Sequence, residues 1–156
     1  PKDTADENVL LPREYTVLEN NYNESVMASW NITEKLILKL KEETESMGSK
    51  LLVFAIPDKA SIHLDEWEKL KKKYGFSDEK YNVDKPLIEM DALCKRNGID
   101  FINPTEILRA RARELEKEGK RLYDPIDHHW NVHGYRFVGE ILADYVALKY
   151  LSPADN

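Results

Sequence analysis

Cysteine is nearly absent from this chain: Cys94 is the single one in 156 residues, so no disulfide can close within it. That leaves the compartment open, because many exported proteins lack disulfides. Long apolar runs are missing too. No stretch approaches the ~18 residues that a membrane span needs, which argues against insertion into a bilayer by this chain. Basic residues are outnumbered, 23 Lys and Arg against 29 Asp and Glu, and the net charge of −6 argues against nucleic acid as a partner. No Ser stands in a Gly-Asp-Ser or Gly-x-Ser-x-Gly setting, so a recognisable serine nucleophile is lacking. The chain begins at Pro1 without a Met, and Pro1-Lys2-Asp3-Thr4 has no signal-peptide character; a trimmed or excised piece is the expectation.

What is present suffices for a folded domain. With 42% hydrophobic and 33% charged residues, the chain is long enough to bury roughly two thirds of the surface its unfolded form would expose. Residues 1–22 are polar and punctuated by Pro12 and Asn20-Asn21, and are read as an arm or linker; residues 23–156 are read as a single α/β domain. Val26, Met27, Trp30, Leu36, Ile37, Leu40 and Met47 recur at three and four, predicting a helix over 24–47 that Gly48 stops. An interruption near Asn31 is expected, where Asn31 and Glu34 could make a capping box. Leu51 to Ile56 is an unbroken apolar run closed by Pro57, the pattern of a strand buried on both faces.

The order of helix and strand then repeats. Helices are predicted over 64–74 and 84–97, a strand over 99–102, a helix from Pro104-Thr105 to Gly119, a short extended stretch over 121–123 and a last helix over 131–151. Alternation of this kind predicts an α/β fold in three layers, a parallel sheet flanked by helices, with its sites at the carboxyl ends of the strands. Two loops occupy such places: Pro57 to His63 after the first strand, and Asp124 to His129 before the last helix.

The second loop, Tyr123-Asp124-Pro125-Ile126-Asp127-His128-His129-Trp130-Asn131-Val132-His133-Gly134, concentrates the chemistry. An Asp two residues before a His can orient the imidazole and stabilise its cation while the ring acts as general base, with Asn131 as N-cap of the helix that follows. Against this stands the plain reading that a His beside a helix start only caps or packs. A Zn²⁺ site is the weaker alternative: His129 and His133 are four apart, but the spacing straddles the helix start, no Glu follows His129, and no Cys pair is available. No cofactor is expected.

Asp127-His128-His129-Trp130-Asn131-x-x-Gly134, followed by an amphipathic helix, resembles the last sequence block of the SGNH (GDSL-type) hydrolase superfamily. Asp two residues before His, with Trp after it, is most similar to the branch of alginate O-acetyltransferase-like proteins, and Ile56-Pro57-Asp58-Lys59-Ala60 after a buried strand is also similar to that branch. The resemblance implies an SGNH or flavodoxin-like layered fold, incomplete within these residues. It implies His129 as general base and Asp127 as its orienting carboxylate in a Ser-His-Asp triad, with Asp124 and His128 the nearest competitors for those roles. The Ser block and the oxyanion-hole Gly and Asn find no match here, and Asn131 belongs to the final block. The parent is therefore expected to be a serine esterase or O-acyltransferase acting on a small ester or O-acetylated carbohydrate, exported or membrane-tethered by analogy, and the isolated chain to be inactive. The competing class is a non-catalytic α/β module that docks a partner or associates with itself through an exposed sheet edge.

Other features carry plainer readings. Lys69, Lys71, Lys72 and Lys73 form a solvated helix face, as do Arg109, Arg111 and Arg113. His63 is expected in a surface loop in preference to a pocket, and Cys94 in the core.

Overall fold

Asn23 opens the first long helix by accepting the amide of Val26 on its side chain, and the helix, α1 (Glu24–Ser46), then runs unbroken. The expected interruption at Asn31 does not occur. Glu34 is drawn across to Arg96 and Asn97, so it is not available to cap. The computed structural model describes residues 11–151; of the stretch read as an arm, residues 1–10 lie outside the described residues. Residues 13–18 form a 3-10 turn whose Leu18 is buried.

The remaining elements are β1 (Leu52–Phe54), α2 (Lys59–Ile62), α3 (Leu64–Tyr74), α4 (Lys85–Arg96), β2 (Asp100–Ile102), α5 (Thr105–Glu116) and α6 (Val132–Val146), which widens into a π-helical turn over Ala147–Leu151; they follow the predicted order except for α2, a short helix within the stretch read as a loop. The class is α/β: β1 and β2 pair in parallel, Leu52 with Asp100 through Phe54 with Ile102, and Ala55 adds an amide bond to Ile102. Both strands are short. Pro57 offers no amide to prolong the ladder beyond β1. The stretch 121–123, predicted as extended, makes one antiparallel bridge, Tyr123 with Trp130.

The described residues fall into two compact units. The first comprises residues 11–55 and 64–102. Its core is Leu93, Cys94 and Ile99, on which Trp30, Ile37, Leu51, Val53, Met90 and Phe101 pack, and Cys94 is thus a core residue, as expected. A second cluster joins Tyr15, Trp67, Tyr74, Phe76 and Tyr81, with Phe76 stacked on Tyr81 at 4.2 Å between ring centres. The other unit comprises residues 56–63 and 103–151. Here Leu108, Ala112, Leu115 and Leu122 are buried with Ala60 and Ile62, and Arg109 donates from Nε to the Ser61 carbonyl, so it is not the solvent-facing residue its Ala-spaced neighbours suggest. The apolar stripe of α6 is only partly covered: Val138 is buried, while Tyr135, and Leu148 in the π-helical turn, remain exposed. No helix among the described residues is long and apolar enough to cross a membrane.

Candidate active site

The His-rich loop is built from its two ends. Leu122 and Tyr123 are fully buried, and the Tyr123 hydroxyl donates to the Pro57 carbonyl. Burial raises the Tyr123 phenol above its ordinary range, so it stays protonated as a donor. At the far end, the Asn131 amide donates to Leu122 and the Asp124 amide to the carbonyl of His129, closing residues 124–129 into a loop.

Asn131 is saturated. Its Oδ1 caps α6 by accepting the amides of His133 and Gly134, and its Nδ2 donates to the carbonyl of Arg121 at 2.7 Å. This is the N-cap the sequence predicts. Trp130 packs edge-on against Tyr123 and Tyr135. Gly134 is dictated by contact: a Cβ there would lie 2.3 Å from the Leu122 carbonyl oxygen and 2.8 Å from the Trp130 Cβ. The Trp-Asn-x-x-Gly part of the motif is therefore a clamp holding the helix start against the buried end of the loop.

On this frame the four sequence-predicted residues separate by role. Asp127 faces His129 twice: Oδ1 accepts the His129 amide at 2.8 Å, and Oδ2 stands 3.2 Å from the ring Nδ1. The amide hydrogen bond, foremost, and the ring hold the Asp127 carboxyl below its usual value. With Nδ1 turned to the carboxylate, His129 Nε2 has no partner among the described residues, and the side chain is 79% exposed. Asp124 is used within the loop, its Oδ1 accepting the amide of Ile126 at 2.8 Å and that of Asp127 at 3.4 Å. His128 turns toward Asp58 at 3.7 Å, an exposed and weak pair. His133 instead lines a small pocket with Arg111, Arg136 and Glu140, so the three histidines do not gather around one point.

Two residues of the site escape sequence reasoning. His63, expected on the surface, is fully buried: Nδ1 lies 2.8 Å from Glu116 Oε1 and Nε2 accepts the Leu122 amide, a pairing that fits the neutral ring protonated on Nδ1. Its apolar neighbour Ile62 and the turn after α2 carry it inward. Lys59, at the start of α2, is 6% exposed and donates into the His-rich loop. The signal for both was their place after Pro57, at the end of the first strand, and for Lys59 also its place in the Ile56-Pro57-Asp58-Lys59-Ala60 stretch, though neither pointed to its burial. A cavity of about 650 Å³ in the first unit, lined in part by Arg13, Asn23, Ser29 and Trp30, includes none of the predicted site residues.

No curated protein and no solved structure matched the chain. The family model described as SGNH hydrolase-like domain, acetyltransferase AlgX, matches residues 15–155. With that span covered, the chain belongs to the family of AlgX-type acetyltransferase domains of SGNH hydrolase-like fold.

Proposed function

We propose that this domain contributes the base and its orienting carboxylate to a Ser-His-Asp acyl transfer, with His129 as general base and Asp127 as orienter. The observation that carries the reading is the double contact of Asp127 with the amide and the ring of His129, which leaves Nε2 turned outward. A carboxylate on Nδ1 fixes the tautomer whose Nε2 can take a proton from a hydroxyl, and its charge stabilises the imidazolium that results. The substrate is a small ester or an O-acetylated carbohydrate. The nucleophilic Ser and the oxyanion donors come from outside these 156 residues: no Ser here has a nucleophile motif, and Ser61, the one described Ser of the second unit, is 1% exposed.

An active-site-directed phosphonate tests this. It is expected to label a longer protein and to leave the 156-residue chain unlabelled; labelling of this chain would place the nucleophile within it. In the longer protein His129→Ala is expected to lower turnover roughly 10³–10⁴-fold, and near-normal turnover would remove His129 from the reaction.

A second reading, docking of a partner or self-association, draws support from apolar residues left open on α1, among them Leu36 at 66% and Leu40 at 54% exposed. Sedimentation across a hundredfold range of concentration decides it for self-association, since a monomer throughout would exclude that partner.

A further inference from the structure

A lysine ammonium has three N–H donors and no acceptor, and burying it is costly unless each donor finds a partner. Lys59 meets that demand in one place: Nζ donates to the carbonyl of Asp124 at 2.7 Å, of Pro125 at 3.1 Å and of Asp127 at 3.4 Å. All three acceptors belong to the loop that carries Asp127 and His129. Three carbonyl oxygens brought together in this way repel one another, and a cation is what allows them to converge.

The loop has little else to fix its middle. Pro125 has no amide to donate, Ile126 is 94% exposed, and the backbone bond between Asp124 and His129 ties only the ends. The contacts within the loop, Asp124 with the Ile126 amide and Asp127 with the His129 amide, are short-range turns on exposed residues. Lys59 supplies the long-range tie, 65 to 68 residues away in sequence. Its own backbone is anchored in turn: Asp58 caps α2 by accepting the Ala60 amide, and all four residues of α2 are buried.

We propose that Lys59 is a positioning residue, a buried cation around which residues 124–127 wrap so that the Asp127 carboxylate is held against His129. The inference rests on the reading that Asp127 and His129 are the base pair of an acyl transfer. Lys59 touches no reacting atom in this scheme; it acts through the carbonyl of Asp127, and its field adds the smallest of the influences on the Asp127 carboxyl, behind the His129 amide that chiefly holds it ionised. This separates it from a core lysine whose loss would lower stability alone.

The test is Lys59→Met in the 156-residue chain, which removes the charge and keeps an unbranched side chain. With near-ultraviolet circular dichroism reporting an intact fold, the Asp127 carboxyl carbon is expected to titrate at higher pH than in wild type, and the amides of Ile126, Asp127 and His129 to shift. An unchanged titration together with unchanged loop amides would overturn the proposal. Should Lys59→Met fail to fold, the wild-type chain decides: a Lys59 ammonium signal protected from solvent exchange, unlike the surface lysines, supports the cage, and a freely exchanging one overturns it. In the longer protein, Lys59→Met is expected to lower kcat by roughly 10²-fold with KM little changed, the mark of a misplaced base. If His129→Ala there retains turnover while the loop signals respond to Lys59→Met, the acyl-transfer reading fails and the positioning of the loop stands.

Discussion

In the unit of residues 11–55 and 64–102, Leu93, Cys94 and Ile99 meet the apolar faces of α1 and the two strands, and five aromatic rings close a second cluster. In the unit of residues 56–63 and 103–151, polar side chains reaching distant backbone join the apolar packing: Lys59 to three carbonyls, Tyr123 to Pro57, Asn131 to Arg121, and the Leu122 amide to His63. Apolar packing is non-directional and tolerates adjustment, whereas a hydrogen bond fixes an atom to within tenths of an ångström. Directional bonds also occur in the first unit, from Asn20 to the Glu79 carbonyl and from Arg96 and Asn97 to Glu34, but in the second unit they converge on the candidate site. A base and its orienter require that, since an error of 1 Å in their placement can cost about 10² in rate.

The contrast breaks most readily in the first unit. Leu93→Ala deletes a side chain that is 1% exposed at the centre of its cluster, and a loss of about 2–5 kcal/mol is expected in denaturant unfolding. If the units differ as described, the amide signals of residues 124–129 in the folded variant stay where they are. Gly134→Ala is expected to do the opposite. The added methyl collides with a backbone carbonyl, which cannot swing aside like a side chain, so a loss of about 1–3 kcal/mol should accompany displaced signals from Leu122 and Trp130. A variant as stable as wild type, with an unmoved Trp130, would mean that the clamp is looser than its geometry.

These chemistries also explain what could be read in the sequence. The helices and strands of the first unit are written in apolar spacing and in stops such as Gly48 and Gly98, both at positive φ where a side chain would be strained. Asp127 and His129 could be named because the motif is contiguous and similar to a known block, and the Asn131 cap because caps are local. Lys59 and His63 could not. Their partners lie 53 to 68 residues away, and no periodicity encodes which distant carbonyl a lysine will find. The run of alternating Arg and Ala misled for the same reason: Arg109 is set apart from Arg111 by the Ser61 carbonyl, which sequence places 48 residues away.

Acid offers the finest comparison, through one carboxylate in each unit. Glu34 accepts two hydrogen bonds from Arg96, at 2.8 and 2.7 Å, and one from Asn97, which hold its carboxyl down at about 2. Asp127 is likewise held below its usual value, by the His129 amide before all else. A carboxyl depressed in the folded state contributes stability that is complete above its unfolded value and is lost as pH falls through its folded one. Glu34→Gln is therefore expected to unfold at a slightly lower temperature than wild type at neutral pH. The gap should narrow between the ordinary value of 4.5 and about 2, where the wild-type carboxyl is neutralised too. Asp127→Asn is expected to show a pH-dependent gap of the same sign, together with a change at the His129 ring that Glu34→Gln does not produce. A gap that ignores pH at either site would assign that residue's contribution to packing instead of charge, and at Asp127 it would leave His129 without an electrostatic partner.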